Sequence, residues 1–217
     1  MSQLRIGAIG ALIALGIPTV MAVATGGNNA FPDAITYNLT SLQIWVDLVI
    51  GMLFWIVWLL QDARANGRNP WGWLIASLIV GSFSPLLYLL VYERWKASPL
   101  ERTEPANRTM GRVIGGIVTL AFTGLTVAAL MNDGTDVPAT VMHSWANFQI
   151  WLDLVIIIVF WIFWMIKDAQ AAGRNPWGWV VLALIAGSFS PLLYLIVYGR
   201  WPGSDTVAAN NPSGDTA

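Results

Sequence analysis

One stretch of this chain, residues 43–95, occurs a second time 106 residues later without a gap. Three motifs mark the duplication: QIWxDL begins at 43 and 149, GRNPWGW at 67 and 173, and GSFSPLLY at 81 and 187. A repeat of this length at a constant offset indicates one structural unit that is present twice. The fold must therefore accommodate two copies of the same unit.

Composition places this unit in a membrane. Hydrophobic residues make up 56% of the chain and charged residues only 11%, whereas a soluble domain carries about 25% charged residues. The net charge of −1 gives nucleic acid no electrostatic attraction, so we expect the lipid bilayer as partner and no nucleic acid. The chain has no cysteine and one histidine, His143. Disulfides and Cys- or His-rich metal or haem sites are therefore not expected, and the sequence predicts no metal and no cofactor.

Six apolar runs are long enough to cross a bilayer, because about 20 helical residues cover its hydrocarbon core. They are residues 4–24, 42–60, 71–92, 111–131, 148–166 and 177–198. The first run has features of a cleaved signal peptide, but its counterpart at 111–131 is internal, so we expect both to be retained helices. The predicted units are a first three-helix repeat at 1–92, a charged linker at 93–110, a second three-helix repeat at 111–201 and a disordered tail at 202–217.

The number of spans in each unit predicts how the two units are oriented. Three spans are an odd number, and the charged linker stays in water, so the second unit enters the membrane from the opposite face. The predicted fold is an all-α membrane protein with six transmembrane helices arranged as two inverted three-helix repeats. Four basic residues fall on the face of the N-terminus and seven on the face of the linker, which weakly favours a cytoplasmic linker.

Asp47 and Asp153 are the most informative polar residues, because each lies about five residues inside a predicted span. A charged side chain at the bilayer centre costs about 2.5–3.5 kcal/mol on insertion scales, so such a residue faces the interior of the bundle and has a partner. Helical periodicity places a Gln and a Trp on the same face as each acid. The alternative is that each Asp forms a hydrogen bond that only fixes helix packing. Asp62 is expected to pair with Arg68 of the following loop, and Asp168 with Arg174.

The GSFSP motif predicts a kink in the third span of each unit. Pro85 removes the helical hydrogen bond to Gly81, and neighbouring serine hydroxyls can satisfy the freed carbonyls or bind a ligand. Counting the helical rise from the span ends predicts that the kink, Tyr88 and Asp47 of one unit share one depth. The alternative is a purely structural kink. The predicted ligand-binding residues are Gln43, Trp45, Trp58, Ser82, Ser84 and Tyr88, with their copies Gln149, Trp151, Trp164, Ser188, Ser190 and Tyr194.

A family likeness rests on residues of the second copy. They are Ala146-Asn147-Phe148, Asp153-Leu154, Trp164, Asp168-Ala169, Gly173, Trp177, Gly187-Ser188 and Pro191-Leu192-Leu193-Tyr194-Leu195. This pattern resembles a family of small three-helix bacterial membrane proteins of unknown function, here fused in tandem. The resemblance implies a multi-pass protein of the bacterial inner membrane and brings no activity. A looser similarity links the chain to integral-membrane isoprenoid cyclases, such as the three-helix lycopene cyclase subunits and the fungal meroterpenoid cyclases, which also combine membrane acids with many aromatic residues.

Three hypotheses about function follow. In the first, Asp47 or Asp153 is a catalytic acid that protonates a small hydrophobic, isoprenoid-like ligand, while Trp45, Trp55, Trp58 and their copies line the pocket. In the second, the chain is a proton-coupled small-molecule transporter with one acid in each inverted repeat. In the third, it is a structural or accessory subunit in which the polar residues serve packing. The sequence does not choose among them and identifies no protein partner.

Overall fold

The computed structural model describes residues 3–92 and 105–198. Within these ranges the chain forms α-helices and no strand. Of the predicted linker at 93–110, residues 93–104 lie outside the described residues, and residues 105–110 belong to the helix that begins at Pro105. The predicted tail at 202–217 also lies outside the described residues, and the last helix ends at Tyr198. The helices are α1 (Gln3–Gly26), α2 (Ala30–Thr36), α3 (Leu39–Ala65), α4 (Trp71–Val80), α5 (Phe83–Tyr92), α6 (Pro105–Asp133), α7 (Val137–Val141), α8 (Trp145–Ala171), α9 (Trp177–Ala186) and α10 (Phe189–Tyr198).

Four of these helices, α1, α3, α6 and α8, are long and apolar enough to cross a membrane, with mean hydropathies from 2.0 to 2.3. They identify the chain as an all-helical membrane protein, as the composition predicts. The bounds of α3, α4 and α5 recur in α8, α9 and α10 at an offset of 106 residues. The duplicated sequence therefore adopts the same local structure in both copies, which we call the first half and the second half.

The third predicted span of each half is not one helix. α4 ends at Val80, the chain turns at Gly81 with φ 56° and ψ −133°, and α5 then runs back along α4. The ring of Trp73, at the start of α4, lies 5.2 Å from that of Tyr88 and 5.9 Å from that of Tyr92, at the end of α5. α4 and α5 therefore form an antiparallel helical hairpin with its tip at Gly81 and Ser82.

The second half repeats this hairpin with α9 and α10. Gly187 at its tip has φ 57° and ψ −132°, and Trp179 packs against Tyr194 and Tyr198 at 5.4 and 5.8 Å between ring centroids. Only glycine adopts this backbone conformation at low cost, so the glycine reverses the chain. The prediction of a proline kink inside a continuous span is therefore wrong. Pro85 lies in the first turn of α5, where no preceding helical carbonyl needs its missing N–H.

α3 and α8 lie side by side and run in the same direction. Asn147 donates a hydrogen bond to the Ser41 hydroxyl at 2.9 Å, and the Trp161 indole donates to the Gly51 carbonyl at 3.3 Å. Residues near the start of α3 therefore contact residues near the start of α8, and residues further along α3 contact residues further along α8. Antiparallel helices would pair the start of α3 with the end of α8. The prediction of inverted repeats is wrong, because it counted each hairpin as a span; the two halves are instead related by an axis along the helices.

The bundle consequently has two distinct ends. We call one the loop end, because it holds the loops at 66–70 and 172–176, the open ends of both hairpins and the start of α6. The Arg112 side chain at the start of α6 donates to the Ile196 carbonyl near the end of α10, at 3.1 Å. We call the other the α2/α7 end; it holds the two short helices and the starts of α3 and α8.

Candidate functional site

Each hairpin tip is bound by a carboxylate from the other half. Asp47 on α3 accepts a hydrogen bond from the Ser188 backbone N–H at 3.0 Å, and the Ser188 hydroxyl donates to the Asp47 carbonyl at 3.2 Å. Asp153 on α8 accepts from the Ser82 hydroxyl. The prediction that each acid lies beside the bend of its own unit is therefore wrong. The hairpins reach across the interface between the halves, and depth counted within one unit does not show this.

Both acids lie beside the N-terminus of a helix. Ser82 and Ser188 directly precede α5 and α10, and the first N–H groups of a helix have no partner inside it and carry partial positive charge. Asp47 and Asp153 are 4% and 8% exposed, so each carboxylate depends on these partners rather than on water. All four tip serines, Ser82, Ser84, Ser188 and Ser190, are fully buried. The structure therefore brings together the predicted acids and predicted serines.

The two acids are held in different ways. A Cβ placed on Gly187 would overlap the Asp47 carboxylate, whereas one placed on Gly81 would meet no atom within 4 Å. Asp47 thus lies directly against the backbone of its tip. Asp153 is held by side chains: it accepts from Ser82 and, at 3.4 Å, from the Gln149 amide. Side chains rearrange more easily than a packed backbone, so Asp153 is the less constrained of the two acids.

Gln149 extends this network to a third helix. Its amide oxygen accepts from the hydroxyl of Thr19 on α1, so Thr19, Gln149, Asp153 and Ser82 form one continuous hydrogen-bonded line. Gln43, the copy of Gln149, is half-buried, and no hydrogen bond joins it to Asp47 among the described residues. A Gln is therefore hydrogen-bonded to its acid in the second half only.

Ser84 and Ser190 each connect the two helices of their own hairpin by a hydrogen bond. The Ser84 hydroxyl donates to the carbonyl of Trp73 at 3.2 Å, and Ser190 donates to that of Trp179 at 2.7 Å. Ser77, which the sequence analysis missed, adds a bond from its own hydroxyl to that of Ser84 at 2.9 Å. Its copy is Ala183, so the first hairpin is the more polar of the two.

Tyr88 and Tyr194 lie away from Asp47 and Asp153, contrary to the predicted shared depth. Tyr88 donates to Asp62 near the loop end of α3, and Arg68 lies 3.5 Å from the same carboxylate. The Arg68 guanidinium also stacks 4.0 Å from the ring centroid of Tyr92. The predicted pairing of Asp62 with Arg68 is thus present. In the second half Tyr194 donates to Asp168, and the guanidinium of Arg174 stacks 4.0 Å over Tyr198.

The predicted tryptophans do not surround the acids. Trp58 and Trp164 are buried in an aromatic core, where the ring of Trp55 lies 5.0 Å from that of Trp58 and 4.9 Å from that of Phe160. Trp45 and Trp151 are half-buried and pack against a separate apolar cluster, whose members include Ile44 and Ile150. These rings fill the space between helices, and they do not form one pocket with the carboxylates.

Buried polar groups continue from the first hairpin tip towards the loop end. After Ser82 come the bonded pair Ser84 and Ser77, then Tyr88 and Asp62, and finally Arg68 beside the loop. Together with Thr19, Gln149 and Asp153, they extend along most of the length of the bundle. Side chains of this kind accept and donate protons or replace the water shell of a small ion.

No group of three or more His, Cys, Asp or Glu side chains within the described residues is placed to hold a metal ion. Comparisons with known proteins give no further guide: no protein-family model matches the chain, and no curated protein or solved structure is similar enough to count as a relative. The resemblance to small three-helix membrane proteins stays a prediction.

Proposed function

We propose that this chain is an integral membrane protein that translocates protons through the interface between its two halves. The observation that supports this most directly is that two buried carboxylates each bind the tip of a re-entrant hairpin. Carboxylates at membrane depth mark ion and proton pathways. Irregular backbone at that depth is tolerated only where it is buried in protein or lines a water-filled cavity, and interrupted helices characterise transport sites.

In this proposal α1, α3, α6 and α8 cross the membrane, and both hairpins enter from the loop end and return to it. A helix of 10 residues is about 15 Å long, which is about half of a hydrocarbon core of about 30 Å. The tips then lie near the middle of the bilayer. The outer faces of the hairpins suit lipid, because Leu78, Ile79, Leu184 and Ile185 are 70–79% exposed. The cell membrane of a bacterium remains the expected location.

The chemistry is proton transfer alone. The Asp153 carboxylate takes a proton from water reaching it from one end of the bundle and releases it to water from the other end. Ser82 and Gln149 donate to the ionised form, and the Ser82 hydroxyl accepts a hydrogen bond from the protonated form after it rotates. Asp47 occupies the equivalent position in the first half.

The test is proton flux into liposomes that contain the purified protein, driven by a potassium diffusion potential and followed with a pH-sensitive dye inside the vesicles. We expect flux above that of protein-free liposomes, and we expect Asp153→Asn to abolish it while keeping the shape of the side chain. Asp136→Asn is the control, because Asp136 is exposed and caps α7, a role that Asn also fills. Wild-type flux equal to that of empty vesicles contradicts the proposal.

The cyclase hypothesis and the purely structural hypothesis agree less well with the positions of the acids and the aromatic rings than proton translocation does. A cyclase needs an acid that faces a cavity lined by aromatic rings, whereas Trp55 and Trp58 pack against each other and against Phe160. The purely structural role agrees with the hydrogen bonds of both acids but does not explain the polar line through Gln149. If the wild type does not conduct and both Asp→Asn variants only lower the thermal stability, the structural role is favoured.

A further inference from the structure

A cavity of about 170 Å³ lies at the α2/α7 end of the bundle. Its wall is formed by the end of α1, by α2 and by the start of α8, so it lies between the two halves. Ala22, Gly26, Asp33, His143, Ala146 and Asn147 are among its lining residues. An engineered cavity of about 150 Å³ holds benzene, so this one has room for a few water molecules or a solute of that size.

The cavity lies one helical turn from the polar line that leads to Asp153. Thr19 is three residues before Ala22 on α1, and Gln149 is three residues after Ala146 on α8, so both lie one turn further into the bundle. Thr19 donates to Gln149, which in turn donates to Asp153. A proton that enters the cavity therefore meets a hydroxyl, an amide and a carboxylate in succession.

The equivalent contact, between α6 and α3, lacks the small residues that leave this space. Aligning α6 with α1 at the shared Arg and Thr positions places Asp133 opposite Gly26, and the offset of α8 to α3 places Thr40 opposite Ala146. The Asp133 carboxylate accepts from the Thr40 backbone N–H at 2.6 Å. A hydrogen bond between α6 and α3 thus occupies the place that glycine and alanine leave open between α1 and α8.

The charge of the lining favours cations. Asp33 contributes a carboxylate, and the described lining includes no Lys or Arg. The imidazole of His143 is exposed and stacks on Tyr37, its own copy in the first half, at 3.6 Å between ring centroids. A recess whose one carboxylate is not balanced by Lys or Arg raises the local concentration of small cations.

From these observations we propose that the cavity is the entrance through which hydrated protons and other small cations reach Asp153. Access from the α2/α7 end then runs between α1 and α8 to Asp153 alone, while Asp47 and its tip serve as the rigid counterpart. This inference rests on the proposed proton translocation. It makes the two carboxylates unequal in function, although the sequence around them is duplicated.

The test uses the absence of cysteine from the chain. Ala22→Cys places a thiol in the cavity wall, and Ala129→Cys places one at the matching position of α6, which is also buried. Each variant is treated in liposomes with a cationic ethylammonium or an anionic ethylsulfonate methanethiosulfonate, and modification is followed by intact mass. We expect the cationic reagent to modify Ala22→Cys faster and to reduce its proton flux, and Ala129→Cys to react slowly with both reagents.

Two further variants make the outcome independent of one substitution. Asp33→Asn in the Ala22→Cys background should remove the preference for the cationic reagent. Ala146→Cys, with Thr40→Cys as its matched control, repeats the comparison on α8 and α3. Equal labelling of matched thiols in a protein that conducts protons overturns the entrance and leaves the proposed function standing. Selective labelling in a protein that does not conduct overturns proton translocation and, with it, the entrance role.

Discussion

At each hairpin tip, a glycine without a Cβ allows the chain to reverse, and at one tip it also leaves room for a carboxylate. Gly81 and Gly187 have the same backbone conformation, but only Gly187 lies directly against a carboxylate. A pair of alanine substitutions therefore separates the conformational effect from the effect of contact with Asp47.

We predict that Gly187→Ala destabilises the protein more than Gly81→Ala does. Both variants carry the strain of a non-glycine residue at positive φ, about 1–3 kcal/mol. Gly187→Ala alone must also displace the Asp47 carboxylate. Thermal unfolding in detergent, compared between the two variants, measures the difference. Equal loss of stability would contradict the direct contact between Asp47 and the second tip.

Ser77 is a second residue whose effect is specific to one half. Its hydroxyl accepts from the Trp55 indole at 3.1 Å and donates to the Ser84 hydroxyl at 2.9 Å. In the second half, where Ala183 replaces it, the Trp161 indole instead donates to the Gly51 carbonyl. The same tryptophan thus finds a different acceptor in each half.

We predict that Ser77→Ala lowers the free energy of unfolding by about 1–3 kcal/mol, because it leaves the buried Trp55 N–H without its acceptor. Ala183→Ser is the reciprocal change and should alter stability much less, since Trp161 already has a partner. Both are measured by thermal unfolding followed by tryptophan fluorescence. A neutral Ser77→Ala would show that Trp55 finds another acceptor.

At the scale of the elements, the close approach of α3 and α8 depends on one further glycine. A Cβ placed on Gly51 would overlap Ile157, which is the residue at the equivalent position of α8. The duplicated helices therefore meet where one copy has a glycine and the other a branched side chain.

We predict that Gly51→Ala destabilises the bundle by about 1–3 kcal/mol through overpacking. Ile157→Ala added to it should recover part of this loss, because the second substitution removes the overlapping methyl groups. A double-mutant cycle on the free energy of unfolding gives the coupling. Additive effects of the two substitutions would indicate that α3 and α8 do not touch at this level.

The hairpins explain which parts of the fold the sequence can and cannot predict. The duplication and the apolar helices are visible in the pattern, and so is the burial of Asp47 and Asp153. A run of 22 apolar residues, however, fits one crossing helix as well as it fits two short antiparallel helices. Gly81 followed directly by Ser82 was the available sequence signal for a chain reversal, but the nearby Pro85 favoured the prediction of a kink.

Because the hairpin was predicted as one kinked span, the predicted partners of the acids were also wrong. Counting depth along one unit brings Asp47 to the bend of that unit, but the tip that Asp47 binds belongs to the other half. Contacts between copies are not encoded in the periodicity of either copy. The interior position of the acids was therefore predictable, and the identity of their partners was not.

At the scale of the whole molecule, the orientation of the halves is the most consequential difference between expectation and structure. Parallel halves place the loops at 66–70 and 172–176 at the same end of the bundle, whereas inverted repeats place them on opposite sides of the membrane. These loops are copies of each other, so their labelling is directly comparable.

We predict that Asn69→Cys and Asn175→Cys react with a membrane-impermeant thiol reagent from the same side of the membrane. Both residues are exposed in the loops. Thr135→Cys, which is exposed before α7, should react only from the other side. The measurement compares right-side-out and inverted vesicles. Labelling of the two Asn→Cys variants from opposite sides would rule out the parallel arrangement.

The reciprocal exchange of hairpin tips has a consequence for how such a chain can be divided. A polypeptide that carries only one half would hold an acid without its serine and a tip without its acid. It would recover both by pairing with a second copy inserted the same way round, since the halves here face the same direction. A gene for one half would thus encode a homodimer of uniform orientation, and separately expressed halves of this protein should reassemble when produced together.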